Sequence, residues 1–343
     1  MRSNWDLSPC CTGAVAPQRL LLEEKLSAQL TDEVYSQYFN ATSWLHLIRP
    51  CGPPSPRGEG FGCGANMKDK LKFDQENTER KSDMVVFFDI DGTIVDNETQ
   101  IIPESTVEAI HLLRQNGHLP VVNTGRPFGQ VDPRVRAMDF AGWICACGME
   151  VILNGEYIRR DTLSPELCNF IIEKCKENRM LIQAETEKEL FYDGDMTYTP
   201  APLREADRLA KKGILVIPYQ SVEDRTFIKF VTHEIPESNR AGFLEAMEPY
   251  FDPIIHRGTM IEYIKKGNTK ALGMELILKE LNISKDQTFA IGDSENDLSM
   301  FAIAGTTICV GDGMEKLKEN ADYITDAVLH DGIYNGLKHF GLI

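Results

Sequence analysis

The stretch that decides the fold reads Met84-Val-Val-Phe-Phe-Asp-Ile-Asp-Gly-Thr-Ile-Val-Asp96. Five apolar residues lead straight into two aspartates, Asp89 and Asp91, separated by Ile90 and followed by Gly92-Thr93. A short run of this composition is a buried strand, so the chain delivers two carboxylates to a strand's carboxyl end. Side chains alternate along an extended chain, which puts Asp89 and Asp91 on one side. A like-charged neighbour favours a proton on one of the two. Taken alone, the pair has several readings. Asp89 is a nucleophile, a metal ligand or merely the cap of the following turn, and an Asp-x-Asp also serves glycosyltransferases that hold a metal with a nucleotide sugar.

Working outward from Met84, short apolar runs alternate with helical ones. Val85–Asp89, Leu119–Asn123, Trp143–Cys147, Thr288–Ile291 and Thr307–Val310 read as strands. Between them Pro103–Gln115, Val131–Phe140, Lys270–Leu281 and Asp297–Ala304 carry helical spacing. Short β-branched runs bracketed by helices predict an α/β fold, a parallel sheet with helices on both faces. Ligands of such sheets gather at the carboxyl ends of the strands. Residues 161–253 break the rhythm. Helical stretches at Ser164–Arg179, Pro202–Lys211 and Ser238–Glu248 mix with alternating strands at Leu181–Tyr192 and Thr226–His233, which reads as an inserted α+β domain. The Asn154-Gly155 turn lies near its entry and Pro253 near its exit. The expected organisation is an N-terminal extension over 1–83, core over 84–160, insertion over 161–253 and core again over 254–343.

Three further clusters sit where strands should end. Val121-Val-Asn-Thr-Gly-Arg-Pro127 closes a strand with a hydroxyl, a glycine and an arginine. Thr124 can bond a phosphoryl oxygen, and Gly125 lets backbone approach an anion. Lys270 opens a helix whose apolar positions are Met274, Ile277 or Leu278, and Leu281. A cation there opposes the helix dipole at a cost of a few tenths of a kcal/mol or more, and such local violations gather at functional sites; Lys266 is the alternative. Ala290-Ile-Gly-Asp-Ser-Glu-Asn-Asp297 then offers Asp293 and Asp297, with Asn296 beside them. Hard oxygen donors of this kind suit Mg²⁺ rather than zinc.

In this order the four clusters resemble the motifs of the haloacid dehalogenase (HAD)-like hydrolase superfamily, over about residues 84–343. The long insertion and the Gly-Asp-Ser-Glu-Asn-Asp run resemble its Cof-type subfamily. The resemblance implies a Rossmann-like core with a large α/β cap, and a Mg²⁺-dependent phosphatase acting on a small phosphorylated metabolite through an aspartyl-phosphate. It implies Asp89 as nucleophile, Asp91 as general acid and then base, and Thr124 and Lys270 as further catalytic groups. Gly92, Thr93, Gly125, Arg126 and Asn296 are implied as phosphate or substrate contacts. The implied metal ligands are Asp89, Asp91 through its carbonyl, Asp293 and Asp297. The chain departs from the subfamily at Cys147-Gly148, where Asn-Gly is common. Two other readings use the same residues: a phosphosugar mutase on this fold, and a phosphate-binding protein without catalysis. The last would need a lost nucleophile, acid or ligand, and Asp89, Asp91 and Asp293 are all present.

Bulk properties agree with a metabolite enzyme. Of 343 residues 42% are apolar and 26% charged, enough for a core, and the formal charge of −16 disfavours nucleic acid or an anionic membrane as partner. No apolar run spans a bilayer and no secretory leader is apparent. Nine cysteines without paired spacing predict reduced thiols and a cytoplasmic protein; a monomer or small homo-oligomer is expected. Residues 1–83, with the cluster Pro50-Cys-Gly-Pro-Pro-Ser-Pro-Arg-Gly58, read as a tail or as untranslated sequence ahead of Met67 or Met84.

Overall fold

The computed structural model describes residues 84–343, apart from residues 188, 193–209, 212, 214, 219–225 and 256–258. The extension read over 1–83 lies outside the described residues, as does most of the helix expected at Pro202–Lys211.

Strand β1 (Val85–Phe88) is built as the opening stretch requires. It lies between β2 (Leu119–Asn123) and β12 (Thr288–Gly292), parallel to both. All four of its residues are fully buried. Val86 and Phe88 enter one core with Ile110, Leu113, Val122 and Leu337. Val85 and Phe87 enter another with Val121, Met274, Ile277 and Ala290. A strand covered on both faces must be apolar at every position, which is why this one shows no alternation.

The first sheet continues through β3 (Gly142–Cys145), β4 (Glu150–Leu153), β5 (Glu156–Arg160), β13 (Thr306–Cys309) and β14 (Tyr323–Ile324), in the order β14-β13-β12-β1-β2-β3-β4-β5. Pairings from β14 to β3 are parallel, and those of β4 and β5 antiparallel. Asn154 and Gly155, both at positive φ, make the β4–β5 turn. The helix Glu104–Gln115 covers one face and Lys270–Leu281 the other. A Cβ on Gly273 would sit 2.2 Å from Ile144 Cγ2, so that glycine lets the second helix lie close on the sheet.

Between β5 and β12 the chain forms a second sheet, ordered β10-β11-β9-β6-β7-β8. Its strands are β6 (Met180–Glu185), β7 (Glu189–Tyr192), β8 (Leu215–Pro218), β9 (Lys229–Glu234), β10 (Phe251–Ile255) and β11 (Met260–Lys265). One face, carrying Ile182, Ala184, Phe191, Phe230 and Tyr263, packs with Ile171, Phe243 and Met247 of the helices Pro165–Asn178 and Arg240–Met247. The Phe230 and Tyr263 rings stack at 4.6 Å.

Several elements differ from expectation. The second sheet runs to Lys265, beyond the division expected at 253, because Pro253 is accommodated in β10, an edge strand that tolerates a missing donor. The helix expected over Val131–Phe140 is confined to Pro133–Arg136, started by Asp132, whose side chain accepts from Arg134 N. The expected Asp297–Ala304 helix is a 3₁₀ turn at Glu295–Asp297 followed by Leu298–Phe301. The Leu181–Tyr192 run divides into β6 and β7 at Thr186, whose hydroxyl meets both backbone groups of Glu189.

Candidate active site

Because β1 pairs in parallel with β2 and β12, with Phe88 opposite Val122 and Ile291, the residues just beyond these strands emerge at one edge. Asp89, Thr124 and Asp293 are those residues, and all are buried. Gly92 makes their approach possible. It sits at φ +89°, and a Cβ there would lie 2.4 Å from Asp293 Oδ2, so any side chain would push the carboxylates apart.

Lys270 ties the cluster together from the first turn of its helix, which Thr269 caps by accepting from Leu272 N. Its ammonium is 1% exposed and donates to Asp89 Oδ1 at 2.6 Å, Asp297 Oδ1 at 2.5 Å and Asn296 Oδ1 at 3.3 Å. Two carboxylates compensate the helix dipole that the lysine opposes. Asp297 is also a hub, its Oδ2 accepting from the N–H groups of Asp293 and Ser294. Thr93 donates to Asp293 Oδ1 at 3.2 Å. Gly148 lets the Cys147 turn close on the lysine's helix, since a Cβ there would meet Thr269 O at 2.9 Å.

The cluster has more negative charge than one lysine neutralises. Burial pushes the Asp89 carboxyl up; Lys270 pulls it down, and Asp297 and Asp91 push it up further, for a net rise. Burial, then the charges of Asp89 and Asp297, raise Asp293 likewise. For Lys270, burial favours the neutral amine, but Asp297 and Asp89 outweigh it and hold the proton more tightly than usual. One oxygen from each of Asp89, Asp293 and Asp297 lies within 4.8 Å of the others. Three clustered carboxylates, all hard oxygen donors and only partly neutralised by Lys270, fit a divalent cation such as Mg²⁺.

Other candidates separate clearly. Arg126 forks onto Asp91, Nε to Oδ2 at 2.6 Å and Nη2 to Oδ1 at 2.9 Å, an ion pair that sequence reasoning did not foresee. Thr124 Oγ1 accepts from Arg126 N, and Thr124 O accepts from Cys147 N. Ala146, Cys147 and Gly148 take three successive positive φ values of 48°, 53° and 88°, so the place usual for Asn-Gly holds a strained turn stitched to the Thr124–Arg126 loop. Lys266 pairs instead with Glu248 at the surface. The five described cysteines are buried and not joined in disulfides. Sequence reasoning also missed Gln183, Glu185, Lys229 and Glu262, which line the second sheet's other face. The available signal was a lone polar residue inside an apolar run, as in Phe227-Ile-Lys-Phe230.

Residues 86–337 match the family described as haloacid dehalogenase-like hydrolase. The chain belongs to that family. YkrA of Bacillus subtilis, whose name presents it as a candidate phosphatase, is 27% identical over 262 residues, 76% of this chain and 98% of YkrA. The 5-amino-6-(5-phospho-D-ribitylamino)uracil phosphatase YitU of Bacillus subtilis is 22% identical over 75% of this chain and 97% of its own length. Among solved structures, the HAD subclass IIB sugar phosphatase BT4131 superimposes with a TM-score of 0.64 at 25% identity, over 76% of this chain and all of that one. TM0651 of Thermotoga maritima gives 0.65 at 23%, over 75% and 97%, a likeness of fold. Among the described residues no helix is long and apolar enough to cross a membrane.

Proposed function

We propose that this HAD-family chain is a phosphatase that hydrolyses a small phosphorylated metabolite through an aspartyl-phosphate on Asp89, with Mg²⁺ as cofactor. The observation that carries the reading is the buried Asp89–Lys270–Asp297 arrangement, with Asp293 alongside. Lys270 engages Asp89 Oδ1 and leaves Oδ2 as the attacking oxygen. Asp89, the Asp91 carbonyl and Asp293 would hold the metal. Both Asp297 oxygens already accept, so it fixes Lys270 and the Asp293 loop. A bound Mg²⁺ supplies charge neutralisation between carboxylates and phosphoryl oxygens.

The chain's own residues account for the rest. Asp89 Oδ2 forms a bond to phosphorus as the ester P–O bond breaks, and Asp91 gives its proton to the leaving oxygen. Lys270 and the Thr124 hydroxyl face the phosphoryl charge. Asp91 then takes a proton from water, whose oxygen attacks phosphorus, freeing phosphate and restoring Asp89. A bidentate guanidinium matches an ionised carboxylate, so the Arg126 fork suits Asp91 as base, and the acid step requires one oxygen released to carry the proton. The test is release of inorganic phosphate from a panel of phosphomonoesters. It should require Mg²⁺, vanish with EDTA and return when Mg²⁺ is restored. Full turnover in metal-free protein refutes the cofactor, and interconversion of hexose phosphates without phosphate release would identify a mutase.

A further inference from the structure

The second sheet turns a charged face toward this site. Glu185 pairs with Lys229, Gln183 with Val231, and Val231 with Glu262, so these five side chains share the face opposite the aromatic core. They are nevertheless sequestered from water. Glu185 and Gln183 are 5% and 6% exposed, and the Lys229 and Glu262 side chains 12% and 16%. Burying ions is costly before their attraction is counted, and apolar residues there would stabilise the fold at least as well. A selected function is the economical reason to keep them.

Their position names that function. Lys229 Nζ donates to Gly125 O at 2.9 Å and pairs with Glu262 Oε1 at 2.5 Å. A Cβ on Gly125 would lie 3.6 Å from Glu262 Oε1 and 3.7 Å from both Lys229 Nζ and Cys147 Sγ. Gly125 adjoins Thr124, the proposed phosphoryl contact. The Cys147 thiol, pushed up to about 11 first by burial, also feels Lys229 and Glu262 together with Lys270 and Asp89. Its sulfur borders Gly125 together with the Lys229–Glu262 pair. Gln183 donates to Glu185 Oε1 at 2.8 Å and steadies the second carboxylate beside Lys229.

We propose that Lys229, Glu262 and Glu185 form the leaving-group subsite and select a neutral, hydroxyl-rich leaving group over one bearing a second phosphate or carboxylate. This rests on the phosphatase reading above. One ammonium and two carboxylates carry a net charge of −1, so a second anion meets repulsion in a site of low dielectric. Vicinal hydroxyls satisfy all three groups, donating to the carboxylates and accepting from the ammonium. A flat aromatic leaving group satisfies none of them.

The experiment compares glucose 6-phosphate, fructose 1,6-bisphosphate and p-nitrophenyl phosphate with the full chain and Mg²⁺. The parent should favour the monophosphate over the bisphosphate at least ~10-fold in kcat/KM. Lys229→Met and Glu262→Gln should each lower kcat/KM for glucose 6-phosphate about 10–100-fold, mainly through KM, the loss of a charged hydrogen-bond partner. The loss on glucose 6-phosphate should exceed the loss on p-nitrophenyl phosphate by at least ~10-fold, since the aromatic leaving group makes no such bonds, and the turnover that remains on p-nitrophenyl phosphate reports an intact core. Glu262→Gln keeps side-chain size and so guards against collapse of the sheet. Parallel losses on both substrates, or a parent preference for the bisphosphate, overturn the subsite. A parent inert on all three overturns the phosphatase reading and the subsite with it.

Discussion

The two sheets spend their buried positions differently. In the first, β1 hides Val85, Val86, Phe87 and Phe88 on both faces and exposes its chemistry only past its end, at Asp89. In the second, one face is apolar and the other buries Gln183, Glu185 and Lys229 within the strands themselves. The first sheet is thus a rigid base for reacting groups, whereas the second holds polar groups whose burial costs stability. A reaction common to many substrates needs fixed atoms on a stiff support; discrimination needs a surface that can vary.

The most severe way to break the first half of this comparison is Asp89→Asn. An amide cannot attack phosphorus, so turnover should fall more than ~10³-fold, on the order of 4 kcal/mol of barrier. Trapping with radiolabelled substrate should find no acyl-phosphate, and a variant labelled as readily as the parent would show that the nucleophile lies elsewhere.

Asp91→Asn should separate the two aspartates. It keeps the nucleophile and the backbone carbonyl but loses the proton carrier, and costs about 10²–10⁴-fold on a sugar phosphate. With p-nitrophenyl phosphate the leaving group needs little protonation, so rapid mixing should give a burst followed by slow hydrolysis of the aspartyl-phosphate. Equal loss in both steps would contradict an acid role.

The placement of these two aspartates just past a buried strand was legible in sequence, because a strand covered on both faces must be apolar throughout and polar groups can follow only at its end. An apolar run ending in Asp-x-Asp-Gly-Thr, a lysine opening a helix and Gly-Asp-x-x-Asn-Asp admit few other uses. The Arg126 fork was not legible, because nothing in Thr-Gly-Arg-Pro says whether the guanidinium turns toward Asp91 or substrate. The second sheet's boundary was missed because an edge strand and a linker both accept Pro253. Lys229 and Glu262 were invisible for another reason. Alternation assigns them to a face, but only pairing of β6, β9 and β11 reveals that this face is buried against the Gly125 loop.

Stability gives the next contrast. Phe87→Ala removes a fully buried ring from β1 and should cost about 3–5 kcal/mol in denaturant unfolding. A loss below about 1 kcal/mol would mean that the support beneath Asp89 is not the packed element described.

The acidic cluster predicts a pH dependence of opposite sign to that of a salt-bridged carboxylate. Asp89 and Asp293 hold protons in the folded, metal-free protein to higher pH than the unfolded chain, whose carboxyls titrate near ~4. Above that value the folded state binds more protons, so metal-free stability should fall as pH rises through their raised values. Mg²⁺ displaces those protons, and the rise in Tm that it confers should be larger at pH 8 than at pH 6. Titration calorimetry in buffers of different ionisation enthalpy should detect proton release. A metal-induced shift that shrinks with rising pH would contradict the charge balance assigned to the site.

The smallest effect tests the second sheet alone. Burial raises the Glu185 carboxyl; Lys229 pulls it down, Glu262 pushes it up, and the net shift is upward. The folded state therefore disfavours the charge that the unfolded chain carries freely, and Glu185 destabilises the protein at neutral pH. Glu185→Gln keeps the shape and leaves Lys229 its partner Glu262, so stability should hold or rise by up to ~1 kcal/mol. The gain should disappear as pH falls through the raised Glu185 value, because the parent is then neutral at that position too. A loss of 2 kcal/mol or more, about that of a charged hydrogen bond removed, would mean that Glu185 stabilises the sheet. Its burial would then be structural, and the contrast between a supporting sheet and a selecting one would fail at that residue.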